Sequence, residues 1–140
     1  MFSALDSFRP RAHWLLRAGL AAVFLFHGVG KAVSIGGFAE MMGLPYAVAA
    51  LVTLAEISTG LGIIVGGFSN ETITRLAALA AVPVLLGAIV MVHWGRWSFM
   101  PADGFPMGGM EFQVVLLFIA LYFLIVGNST GSGESQSTAH

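Results

Sequence analysis

The 140-residue chain contains no cysteine and little charge: Asp, Glu, Lys and Arg make up 9% of it, against 57% hydrophobic residues. Without cysteine it can form no disulfide, no thiolate nucleophile, no CxxC redox pair and no cysteine-ligated iron–sulfur cluster. A formal net charge of −1 lacks the basic excess that a phosphate-binding surface needs, so nucleic acid is excluded as a partner class. There is also no glycine-rich nucleotide fingerprint, which leaves a flavin or nicotinamide carrier without a recognisable cradle. What the chain has instead is long apolar runs. A mean hydropathy of +0.88 belongs to an integral membrane protein, not to a soluble globule.

Four runs, residues 14–33, 46–67, 73–94 and 110–126, approach or reach the roughly 20 residues that cross a bilayer as helix. Residues 1–13 form a basic N-terminal lead, with Arg9 and Arg11 around Pro10. The first run is too long for the apolar core of a secretory signal and reads as an uncleaved span. Ser34-Ile-Gly-Gly37 and Gly66-Gly-Phe-Ser-Asn70 break the helices, and residues 95–109 form a longer connection carrying Trp97, Phe99 and Phe105. Pro83 removes a backbone donor inside the third run and should kink it. The Ser/Gly-rich residues 128–140 read as a disordered tail. The expected fold is all-α: an integral membrane four-helix up-down bundle over residues 14–127. Small residues such as Gly28, Gly30, Gly60, Gly62, Ala49, Ala77 and Ala81 would let its backbones approach closely. Arg9, Arg11, Arg17 and Arg75 fall on the side of the termini, against Lys31 and Arg96 opposite, which places the termini in the cytoplasm.

Ionisable groups inside such runs are expensive, by ~2.5–3.5 kcal/mol each on insertion scales, and therefore informative. At ~1.5 Å per residue, Glu56 sits about 16 Å below the bilayer edge opposite the termini, His27 about 9 Å below it and Lys31 about 3 Å. His93 and Glu111 mark that edge, with Gln113 close by. His27, Lys31, Glu56, His93 and Glu111 are thus the candidate site, in the non-cytoplasmic half of the bundle. Two readings stand open. In the first, Lys31 pairs with Glu56 or Glu111 to lock helix register, and His27 is a satisfied core histidine. In the second, the group forms a polar pocket for a small, mostly apolar redox ligand such as a quinone. Histidine and carboxylate would bind its oxygens and carry its protons, while Phe24, Phe26 and methionines cover the ring. Arg17 reads as a snorkelling residue at the terminal interface, and Trp94, Trp97 and Phe99 as an interfacial belt. Two histidines at one end are too few to specify haem. Loop methionines without cysteine are too weak a set for a soft metal.

The order and spacing of several motifs resemble the DoxX family of small four-helix membrane proteins of bacteria and archaea. They are Arg17-x-Gly19 with Phe24 and His27-Gly28-x-x-Lys31, then Gly43-Leu44-Pro45, Glu56-x-x-x-Gly60, Gly66-Gly-Phe, Thr74-Arg75-Leu-Ala-Ala and Gly109-Met-Glu111. The resemblance implies a multi-pass protein of the bacterial cytoplasmic membrane linked to quinone. Its namesakes are subunits of thiosulfate:quinone oxidoreductase, and other members are associated with oxidative-stress systems. The polar positions that match are Arg17, His27, Lys31, Glu56, Arg75 and Glu111. Two functions follow as expectations. One is a quinone-interacting subunit of an oxidoreductase system whose protein partners supply the electron carrier. The other is a non-catalytic scaffold or accessory subunit of a larger membrane complex. A small transporter would need an aqueous path, and no paired inverted repeats are evident.

Overall fold

Apolar length and helix punctuation set the architecture. The computed structural model describes residues 3–129, so residues 130–140 of the expected disordered tail lie outside the described residues. The regular elements among them are helices: α1 (Ser3–Asp6), α2 (His13–Val33), α3 (Ile35–Met42), α4 (Tyr46–Phe68), α5 (Glu71–Ala88) and α6 (Glu111–Val126). A 3₁₀ turn, Arg9–Arg11, precedes α2, and a π-helical stretch, Ile89–His93, extends α5. Three helices, α2, α4 and α5 with its extension, are long and apolar enough to cross a membrane. The apolar α6 is shorter, at 16 residues.

The sequence marks the ends of these helices. Gly43 closes α3 in the left-handed region (φ 62°), where a side chain would be strained. The Leu44 N–H then bonds back to Ala39 O at 2.9 Å. Pro45 follows, and its fixed φ starts α4. Asn70 caps α5 by accepting from the Ile73 N–H at 3.0 Å. The helix runs on through Pro83 to Ala88 and widens only at Ile89–His93.

The long helices pack in chain order, α2 on α4, α4 on α5 and α5 on α6, whereas α2 and α6 barely touch. The interior is built from small residues. Ala77, Ala78 and Ala81 of α5 are buried with Leu20, Phe24, Ile63, Leu116, Ala120 and Phe123. Glycines bring α4 close to its neighbours: a Cβ at Gly66 would meet Thr74 backbone and hydroxyl atoms, and one at Gly62 would meet the Ala77 methyl. Many large apolar side chains point outward, among them Leu15, Phe26, Val33, Phe68 and Ile125. That inside-out distribution suits a chain whose solvent is lipid.

Candidate functional site

The candidate site is best built from α2. Its buried positions are Arg17, Leu20, Ala21, Phe24 and Gly28, a stripe at helical spacing that faces α4 and the core. His27 was expected on this face because it stands four residues before Lys31. It lies one residue off the stripe, about 100° around the helix, and is exposed on the flank. There it stands edge-on to Phe26, ring centroids 5.5 Å apart. Ala22, Val23, Phe26 and His27 line one side of an open, largely apolar groove whose other wall is Phe112 of α6. Phe24, expected to cover a ligand ring, is core instead.

Lys31 reaches inward. Its Nζ donates to both Glu56 oxygens at 2.7 Å, and its ammonium lies 5.0 Å from the Phe38 ring centroid of α3. Glu56 is 6% exposed, so the carboxylate is compensated by this one ammonium. Of the two partners open to Lys31, Glu56 is the one it takes. Gly28 lets the helices close around the pair, since a Cβ there would press on Ile57 and Glu56.

His93 and Glu111 form separate units. His93 is buried at the end of the π-helical stretch, a feature that recurs at functional sites. Its Nδ1 sits 3.0 Å from Gly108 O and its Nε2 lies 2.9 Å from Gln113 Nε2. The amide donates, so the network assigns a neutral ring with the proton on Nδ1. Gln113 Oε1 is buried without a hydrogen-bond partner among the described residues. Glu111 closes the loop: its backbone N–H donates to Trp97 O at 2.9 Å, and its Oε2 accepts from the Phe99 N–H at 3.3 Å. The five candidate residues therefore share one end of the molecule. They are joined there as one ion pair, one histidine–glutamine unit, one loop tie and one exposed histidine.

The opposite end holds a polar cluster that sequence reasoning missed. Arg17, expected to snorkel at the interface, is fully buried. It donates to Ile63 O, to Thr74 Oγ1 at 3.0 Å and to Asn128 Oδ1 at 2.7 Å. Its guanidinium lies 4.7 Å from the Phe123 ring centroid and 5.6 Å from that of Trp14. Asn128, assigned to the tail by composition, belongs to the packed body. It also accepts from Thr74 Oγ1 at 2.8 Å and donates to Gly66 O at 2.8 Å. Arg17 stands near the start of α2, where snorkelling is the ordinary expectation, but Gly67 leaves room for its side chain between helices, since a Cβ there would meet Arg17 Nε and the Trp14 ring. No carboxylate meets Arg17 among the described residues; neutral oxygens and aromatic faces hold its charge.

The family model of DoxX matches residues 12–94, from the start of α2 to the turn beyond His93. That segment contains Arg17, His27, Lys31, Glu56 and His93, while Glu111, Phe112 and Gln113 follow it. No curated protein and no solved structure matches the chain.

Proposed function

The chain belongs to the DoxX family, and on that premise we propose that it is a quinone-interacting membrane subunit of an oxidoreductase system. In this reading α6 is a fourth span, the bundle is up-down, and both termini are cytoplasmic. The observation that carries it is the groove between α2 and α6, an apolar wall with a single titratable hydrogen-bonding group, His27, set in it. A quinone needs that combination: apolar cover for its ring, a donor for a carbonyl, and sideways entry from the bilayer for its tail. Phe26 and Phe112 would flank the ring, and His27 would hydrogen-bond an oxygen and pass its proton. Gln113, whose Nε2 is held against His93, leaves its Oε1 unpartnered at the same end, an acceptor suited to the hydroxyl of a reduced quinol and not to a quinone carbonyl. Lys31 and Glu56 satisfy each other and act by holding α2 against α4 one turn beyond His27. Electrons would come from a partner subunit, because this chain offers no carrier of its own.

The test is a titration of purified protein with a short-tailed quinone, followed by tryptophan fluorescence, in wild type and His27→Leu. His27 is exposed, so its replacement leaves the packing alone. Losing one hydrogen bond should weaken binding by about tenfold; equal affinity, or none in either protein, would sink the reading.

The accessory-subunit alternative has its own observation. Gly19, Gly30 and Gly87 would meet nothing within 4 Å if given a Cβ, which leaves the outer helix faces open to close approach by another helix. Migration as a lone monomer in mild detergent would count against it.

A further inference from the structure

Among the described residues, side-chain hydrogen bonding ties the first long helix to the end of the last at one end only. Arg17 of α2 binds Asn128, just past α6, and lies over Phe123 within α6, yet α2 and α6 make few other contacts. Asn128 anchors this junction in the rest of the molecule, taking a hydrogen bond from Thr74 of α5 and giving one to Gly66 of α4. Ten residues along α2 from Arg17, about 15 Å away, stands His27. Because the two helices run antiparallel, with Arg17 level with Phe123, His27 is level with Gln113 and beside Phe112. The open end of the seam is therefore the groove.

We propose that Arg17 and Asn128 are positioning residues, a clasp that sets the angle between α2 and α6 and so the width of the groove at His27 and Phe112. The leverage is geometric: a tilt of roughly 10° about the clasp moves a point ~15 Å away by about 3 Å, comparable to a hydrogen-bond length. Arginine suits the task because its planar fork reaches Ile63, Thr74 and Asn128 at once, from three separate segments. A lysine ammonium has no such fixed geometry. The functional weight of the clasp rests on the groove being the ligand seat; its structural action does not.

The absence of native cysteine makes the seam directly measurable. Spin labels on Ala22→Cys and Phe112→Cys, one on each wall, report the groove width by pulsed electron resonance in proteoliposomes without quinone. Labels on Leu54→Cys and Leu86→Cys, exposed on α4 and α5, give a control distance that does not cross the seam. Adding Asn128→Ala, or Arg17→Lys, should broaden the groove distance and shift it by about 3 Å while the control distance stays put. Thr74→Val, which leaves the Arg17–Asn128 bond in place, should have the smaller effect. An unchanged groove distance in both clasp variants overturns the proposal. So does an equal change in the control pair, which would make these residues general determinants of the fold. Since no ligand is present, the outcome is independent of whether quinone binds.

Discussion

Lys31 and Glu56 illustrate how a buried pair acts on stability through its failure more than its presence. Together they are near break-even, since desolvating both charges offsets most of their attraction. Removing only the ammonium strands a carboxylate in an apolar wall. Lys31→Met should therefore destabilise the fold by about 3–5 kcal/mol, and Lys31→Met with Glu56→Leu should recover most of the loss. Denaturant unfolding of the detergent-solubilised proteins checks this; equal losses in the single and double variants would show that the attraction of the pair itself, and not a stranded carboxylate, carries the stability. The pairing was legible in the sequence because a charge deep in an apolar run has few ways to be satisfied. His27 was legible as a polar group in a span but not as an exposed one, because i, i+4 spacing fixes a relation to Lys31 and not to the core. Arg17 and Asn128 escaped for complementary reasons. One stood close enough to a helix end to suggest snorkelling, and the other was hidden by the composition of the residues that follow it.

Glycine placement decides which helices meet and how closely. At Gly66 an added methyl would lie 2.5 Å from the Thr74 N and Oγ1 atoms, and a backbone atom cannot step aside as a side-chain tip can. Gly66→Ala should push α4 from α5, cost about 1–3 kcal/mol and disturb Thr74, through which Arg17 is held. Gly30→Ala, with nothing within 4 Å, should leave stability unchanged or slightly raised, because alanine is the better helix former. Thermal melts of the two variants should therefore separate clearly, and matching melts would mean the α4–α5 approach is looser than the geometry requires. Both glycines look alike in sequence, where small residues announce close packing without saying against what. The π-helical stretch was equally hidden. Pro83 drew attention as the irregular point of the third run, yet the register change lies at Ile89–His93, in ordinary branched and aliphatic residues with no composition signal. It sits where the chain turns His93 onto Gly108 and Gln113.

At the scale of the whole molecule, apolar run length and turn residues were enough to anticipate an all-helical membrane protein, because lipid allows few alternatives to helices that satisfy their own backbone. The run that becomes α6 is the weakest part of that pattern, at 16 residues. At ~1.5 Å per residue it covers about 24 Å, short of a ~30 Å core unless the bilayer thins or flanking residues reach out. If α6 does span, the start of α2 and the end of α6 share one side and the 95–110 loop lies on the other. The sequence places Arg9, Arg11, Arg17 and Arg75 on the former, but buried Arg17 is not free to face the headgroups, and Arg75 lies 3.7 Å from Glu71. Orientation thus leans on Arg9, Arg11 and Arg75, with Arg9 itself 3.0 Å from Asp6. Arginine and lysine still count in the positive-inside rule when carboxylates are near, since it is not a net-charge rule. The expectation remains cytoplasmic termini. In the cysteine-free background, Asp103→Cys in the exposed loop should react with a membrane-impermeant maleimide on right-side-out vesicles, whereas Asp6→Cys should react only on inverted ones. The reverse pattern would flip the protein, and labelling of both from one side would mean that α2, α4 and α5 do not all cross. Ser129→Cys, which follows α6, should label with Asp6→Cys, and labelling with Asp103→Cys instead would remove α6 as a span.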